Sequence, residues 1–206
     1  MAEPFNNDDA HTQARHAVVV LAAGRSSRLG QAKQTLLIDG LSLEQRALTL
    51  ALQTRPSQVV LARAQQDNRP LPELGSTPVT LVHPAPGGMG LSLKAAAEAF
   101  DEHIDGFLIL TVDLPHLDLN HLQALLSLWR TRTALPVASA YADTVGMPAI
   151  LPRSWRGRLR ELSADQGARQ WLRESPDLAT VRNPKLAFDI DTPADLLRWR
   201  AGDLSP

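Results

Sequence analysis

The stretch Ala17-Val-Val-Val-Leu-Ala-Ala-Gly24-Arg-Ser-Ser-Arg28-Leu-Gly30-Gln-Ala-Lys33 decides the fold. Its first six residues, Ala17 to Ala22, form a short apolar, largely β-branched run that reads as a buried strand. A polar, glycine-containing loop follows from Gly24 to Lys33. Leu41 to Gln53 then places Leu43, Ala47, Leu48 and Leu50 at helical spacing.

The same alternation continues outward from this unit. Strands are expected at Gln58–Ala62, Val79–Val82 and Phe107–Val112, with weaker candidates at Pro136–Tyr141 and Val145–Leu151 and a last one at Leu186–Ile190. Ser92–Phe100 is rich in helix formers, and Asp118 can cap a helix that presents Leu119, Leu122, Leu125, Leu126 and Trp129 on one face. Trp155–Leu162 and Gln166–Arg173 read as short helices, and Asp67–Pro78 as a loop. Thr192 as N-cap, Pro193 at the first helical position and Asp195 near the third mark the start of a final helix. Strands alternating with helices predict an α/β protein: a three-layer α/β/α sandwich around a mostly parallel sheet. Ligands in such sheets bind beyond the carboxyl ends of the strands. The expected organisation is a disordered leader over 1–16 and one domain over 17–202.

Composition narrows the chemistry. The chain has 206 residues, no cysteine, a net charge of -1 and an aromatic content of 4%. It is long enough for a full core, filled mainly by aliphatic side chains. Disulfides, thiolate metal sites and cysteine nucleophiles are excluded. The charge balance argues against a nucleic-acid partner, which is met by a basic excess. No run approaches the ~18 apolar residues of a membrane span, and the polar N-terminus has no signal-peptide core, so a cytoplasmic location is expected. Eighteen of the basic residues are arginine and only three are lysine, Lys33, Lys94 and Lys185.

The first loop is neither a Walker A loop nor a GxGxxG fingerprint: five residues separate Gly24 from Gly30, and Lys33 comes three later. Its small residues still let backbone amides approach an anion, and Arg25, Arg28 and Lys33 carry positive charge suited to a polyphosphate. From these residues alone, a phosphate loop and a solvated polar turn both stand. The second glycine cluster, Pro86-Gly-Gly-Met-Gly90-Leu-Ser92-Leu-Lys94, joins a strand to a helix, either as an anion-binding helix N-terminus or as a plain turn. Asp113 follows the strand at Phe107–Val112, while Asp189 and Asp191 lie two apart and face one side if extended. Such carboxylates suit Mg²⁺ beside phosphates, or else serve as strand-end residues and, for Asp191, a helix cap.

Leu21-Ala-Ala-Gly-Arg-Ser-Ser-Arg-Leu-Gly-Gln-Ala-Lys33 resembles the LAAGxSxRxGxxK signature of nucleotidyltransferases that move a nucleoside monophosphate from an NTP. Gly90-Leu-Ser92-Leu, Asp113-Leu-Pro115 and Phe188-Asp-Ile-Asp-Thr-Pro-Ala-Asp195 are similar to further segments of that family, the last to its molybdenum cofactor branch. Gly146-Met-Pro-Ala-Ile-Leu151 and Leu162-Ser-Ala-Asp165-Gln-Gly167-Ala-Arg169 resemble stretches of the molybdenum cofactor cytidylyltransferases. The resemblance runs from Ala17 to about Arg200. It implies a Rossmann-like sheet of the nucleotide-diphospho-sugar transferase type. It implies nucleotide contacts at Leu21, Ala22, Ala23, Gly24, Arg28, Lys33, Gly90 and Ser92, with Arg28, Lys33 and Asp113 as the catalytic set. It also implies Mg²⁺ at Asp113, Asp189 and Asp191, and an acceptor at Met147, Asp165 and Arg169.

Three positions depart from the pattern. Val112 stands where glycine precedes the metal aspartate, Met147 replaces a histidine and Ala164 replaces a glycine. Met147 and Ala164 bear on the acceptor, and Val112 on the nucleotide side. The implied reaction is CMP transfer from CTP to molybdenum-bound molybdopterin, with a molybdenum hydroxylase apoenzyme as a further partner. The Ala22-Ala23 pair favours CTP over the alternative of GTP. Another phosphorylated acceptor, or a non-catalytic cofactor-handover protein, are the competing expectations.

Overall fold

The computed structural model describes residues 14–71, 77–164 and 167–202. Strand β1 (His16–Ala22) is buried along its whole length and lies between β4 (Gln58–Arg63) and β6 (Gly106–Thr111), parallel to both. Beyond β4 lies β5 (Val79–Val82). Beyond β6 lie β8 (Thr144–Pro152), β7 (Val137–Tyr141) and β9 (Ala179–Arg182), completing a seven-stranded sheet. β8 runs against its neighbours β6 and β7, and the remaining strands share one direction. A small hairpin of β2 (Leu37–Ile38) and β3 (Leu41–Ser42) stands apart.

Period-two alternation sends the side chains of each central strand to two separate cores. Val18, Val20, Leu108 and Leu110 pack beneath α1 (Leu43–Gln53), α3 (Leu119–Arg130) and α6 (Pro193–Arg200). Val19, Val60, Phe107 and Ile109 pack beneath α2 (Met89–Ala99), α4 (Arg156–Arg160) and α5 (Ala168–Glu174). This is the expected three-layer α/β/α sandwich, and both cores are dominated by aliphatic residues. From β1 the chain moves outward through β4 and β5, then returns through α2 to β6 on the other side of β1. The carboxyl ends of β1 and β6 therefore flank the point where strand order reverses, and a crevice opens there.

Local chemistry fixes the helix starts. Ser42 and Gln45 close a capping box on α1, and Asp118 accepts the His121 amide at 2.8 Å on α3. α2 starts three residues before the expected Ser92, at Met89, with Gly88 as its N-cap. The expected helix over 155–162 is a 3-10 turn (Arg153–Trp155) leading into α4. The expected strand at Leu186–Ile190 is not one: Asn183 caps a 3-10 turn at Pro184–Ala187, and Leu186, Phe188 and Ile190 are buried without joining a ladder. The last strand is instead β9, an edge strand paired to β7. Residues 1–13 of the segment expected as a leader lie outside the described residues, and His16 opens β1. Among the described residues no helix is long and apolar enough to cross a membrane.

Two buried polar networks brace the sheet. The Arg63 guanidinium, 1% exposed, donates to both carboxylate oxygens of Glu44, at 3.0 and 2.7 Å, and also reaches the Arg69 carbonyl. It thereby ties β4 to α1 and holds the loop that leaves β4. Glu44→Ala leaves that guanidinium buried without its counter-charge, and urea unfolding should show a loss of about 3–5 kcal/mol.

His16 donates from Nε2 to Thr54 Oγ1 at 3.0 Å, because that hydroxyl gives its own proton to the Ala51 carbonyl. Burial, then the Arg130 charge, lowers the His16 pKa to about 4. The unfolded chain therefore binds the extra proton first. This contribution is complete above about pH 6.5, shrinks as pH falls toward 4, and amounts to on the order of 3 kcal/mol. His121, lowered by burial and only partly restored by Asp118, acts in the same direction. Stability measured by denaturant titration should fall from pH 7 to pH 4, and His16→Gln should flatten that slope.

Candidate active site

The loop after β1 takes its shape from Ser26 rather than from Gly24. Ser26 adopts φ 49°, its carbonyl accepts the Leu29 and Gly30 amides, and its hydroxyl accepts the Lys33 amide at 3.0 Å. Gly30, at φ 73°, completes the reversal. Leu29 is buried in the core beside α1 and pins the loop's middle. A Cβ on Gly24 would meet nothing within 4 Å, so this glycine leaves space open instead of making the turn.

That space is part of a cavity of about 320 Å³. Leu21, Ala23, Gly24, Arg25, Arg28 and Lys33 line it from the β1 side. Gly87, Gly88, Met89 and Ser92 line it from α2, and Val112, Asp113 and Asp191 from the floor. Of the expected nucleotide contacts, Ala22 and Gly90 are buried and do not line the cavity. Gly88 is a packing glycine: its Cβ would fall 1.9 Å from the Ala164 carbonyl oxygen. Ala164, expected to bear on the acceptor, instead abuts the second glycine cluster that lines this first cavity, and Val112 forms part of the same cavity wall.

A second cavity, of about 400 Å³, adjoins the first. Asp113, Met89 and Thr111 line both. Asp189, Met147 and Arg169 belong to the second only, together with Tyr141, which the sequence reading missed. Asp165 lies outside the described residues.

Asp113, Asp189 and Asp191 converge so that one oxygen from each lies within 4.8 Å of the others. Three constraints bring them together. The Ile190 amide donates to the Asp113 carbonyl at 3.0 Å, stitching the final segment to the end of β6. Asp195 accepts from the amides of Asp191 and Thr192, at 3.1 and 2.7 Å, within the capping box of α6. The helix is capped by Thr192 and Asp195, which leaves the Asp191 side chain to face the cavity. His116 stacks edge-on with Phe188 and Trp199, bracing α6 against the loop after Asp113.

The acidic cluster is partly neutralised by the first loop. Lys33 Nζ lies 3.2 Å from Asp113 and hydrogen-bonds Asp191, which also receives Arg28. Burial pushes the Lys33 ammonium down, but the Asp113 and Asp191 carboxylates outweigh it and its pKa ends above the usual value. For Asp189, desolvation at the cleft wall, followed by the charges of Asp191 and Asp113, raises the carboxyl. The donor set is three hard carboxylate oxygens with no nitrogen or sulfur, which fits a cation of the Mg²⁺ or Mn²⁺ class. Elsewhere, Arg156 bonds the carbonyls of Ala97 and Phe100, and Arg158 lies over the rings of Trp155 and Trp171, so these arginines are structural. His83 and His103 are exposed, away from the cluster.

A family model described as a MobA-like NTP transferase domain matches residues 18–180. Purine catabolism protein PucB of Bacillus subtilis (strain 168) is 26% identical over 192 residues, covering 86% of this chain and 92% of that protein. The crystal structure of Rv0371c from Mycobacterium tuberculosis H37Rv superposes with a TM-score of 0.76 at 25% identity, covering 90% of this chain and 96% of that one. A structure of Rv0371c in complex with manganese gives a TM-score of 0.72 at 23% identity over 90% of this chain and 97% of that one.

The capping box can be tested apart from any chemistry. Asp195→Ala removes acceptors from three donors at the start of α6, and thermal melts should show a loss of about 1 kcal/mol.

Proposed function

The chain belongs to the MobA-like NTP transferase family, and we propose that it transfers CMP from CTP to molybdenum-bound molybdopterin, releasing pyrophosphate. The observation that carries this reading is the pair of cavities sharing Asp113: a cation-lined one reached by Arg25, Arg28 and Lys33, and a second one bearing Arg169 and Met147. A donor and an acceptor seated in these cavities would meet at the acidic cluster. The Ala22-Ala23 pair and the Asp189-Ile-Asp191-Thr-Pro193 segment favour the cytidylyl, molybdenum-cofactor branch.

In this reading the triphosphate lies in the first cavity with its phosphates toward the loop. Lys33 and Arg28 turn from Asp191 to the phosphate oxygens, exchanging carboxylate partners for phosphate ones. The N-terminus of α2, whose cap residue Gly88 has no side chain to occupy the first amides, faces the same anion. Asp113 and Asp189, with Asp191, would hold Mg²⁺, which neutralises charge on the phosphate oxygens when bound. An oxygen of the acceptor's terminal phosphate forms a bond to the α-phosphorus as the bond to the β-phosphate bridge breaks, and pyrophosphate carries the electron pair away. The attacking phosphate is already ionised, so no general base is required. Positioning and charge stabilisation supply the rate.

A thermal-shift titration with CTP, GTP, ATP and UTP, each with Mg²⁺, should raise the melting temperature most with CTP. A larger effect of GTP would move the assignment to guanylyl transfer, and no response to any NTP would remove the reading. Pyrophosphate release that depends on molybdopterin separates an enzyme from a cofactor carrier. Asp113→Ala and Lys33→Ala should each lower turnover about 100-fold to 1000-fold while the fold persists.

A further inference from the structure

The second cavity sets beside Arg169 a residue to which the transfer step assigns no role, Tyr141. Tyr141 ends β7, and its hydroxyl donates to the Met147 carbonyl at 3.2 Å. The Arg169 guanidinium lies against the same hydroxyl from α5. Gly146 records how close this packing is: a Cβ there would stand 2.4 Å from Tyr141 Oη and 3.2 Å from Arg169 Nη2. Gly146 is thus the residue that lets the hydroxyl and the guanidinium share one end of the cavity.

The charge around this cavity is uneven. Among the described residues that line it, Asp113 and Asp189 are acidic and Arg169 is the one lysine or arginine. An anionic acceptor entering here meets two carboxylates unless Arg169 is aimed at it. A neutral hydroxyl can orient a guanidinium without neutralising it, as a carboxylate partner would. Apart from Thr111, the rest of the wall is apolar and adaptable: Met89, Leu114, Met147, Leu186 and Ala187.

Building on the transfer reading, we propose that Tyr141 is a positioning residue that sets Arg169 to receive the phosphate of the ring-bearing acceptor. The phosphate meets Arg169 and the ring lies along the two methionines. Tyr141 sets acceptor affinity and leaves nucleotide affinity alone.

Tyr141 is the only tyrosine in the chain, so 3-fluorotyrosine incorporated into the full-length protein gives a single ¹⁹F resonance from this cavity. Titration with phenyl phosphate and Mg²⁺ should move that resonance saturably. Arg169→Ala, which keeps the label, should weaken the response about tenfold or more, and Gly146→Ala should weaken it too by forcing the pair apart. Calorimetry on Tyr141→Phe should show phenyl phosphate binding weakened about fivefold, with CTP binding unchanged. A resonance indifferent to phenyl phosphate, or one that responds equally in Arg169→Ala, overturns the inference. So does a Tyr141→Phe variant that loses CTP and phenyl phosphate binding alike. The CTP-induced melting shift of the wild-type protein is read separately: if it persists while phenyl phosphate fails, the transfer reading stands without this inference. If it fails while phenyl phosphate binds through Arg169, the reverse holds.

Discussion

Three carboxylates held within 4.8 Å of one another repel, and a fold that assembles them needs cations to hold them there. In this chain Lys33 meets that need. It bridges Asp113 at the end of β6 to Asp191 before α6, and Arg28 joins it on Asp191. The loop between β1 and Lys33, the end of the central strand and the capping box of the last helix thus converge on one cluster of charge. Buried at its stem and partnered by two carboxylates, Lys33 stays charged across the physiological range.

This arrangement suits a protein that must bind a polyanion. In the proposed transfer reading, the cations that balance the carboxylates in the resting site would turn toward phosphates, while a divalent cation would take their place among the aspartates. Charge is then exchanged between partners, carboxylate for phosphate on the side chains and ammonium for metal on the aspartates. The Ile190–Asp113 backbone bond and the Asp195 cap tie the segments that carry the carboxylates together, independently of Lys33 and Arg28. The net charge of -1 is compatible with this local concentration: basic and acidic residues nearly balance over the chain, while Arg25, Arg28 and Lys33 fall in one loop.

The parts legible from sequence were those with a local signal. Ala17–Ala22 and the Thr192–Asp195 helix start each carry their own pattern, and the structure has both as read, while the glycine loop follows β1 as expected but turns on Ser26 and Gly30. β9 was missed because Ala-Thr-Val-Arg is a short edge strand, half exposed, with little apolar contrast. Leu186, Phe188 and Ile190 alternate as a strand would, yet their burial comes from packing under α6 without a ladder. The reversal of β8 was also hidden. Its hairpin turns on Ala142 and Asp143, both at positive φ, with no asparagine–glycine signal to announce it. Tyr141 carries no motif, and Ser26, although it is the serine of the LAAGxSxRxGxxK pattern, carries no local sign of its turn-forming role; both matter because of what the fold sets beside them.

The central claim is that donor and acceptor meet at Asp113 once Lys33 yields the carboxylates to a metal. The most direct measurement is an anomalous difference map from crystals grown with Mn²⁺ and a non-hydrolysable CTP analogue. The account predicts one manganese peak among Asp113, Asp189 and Asp191, with Lys33 Nζ moved onto the phosphates. A peak elsewhere, or Lys33 still bound to Asp191 beneath an ordered triphosphate, would contradict it.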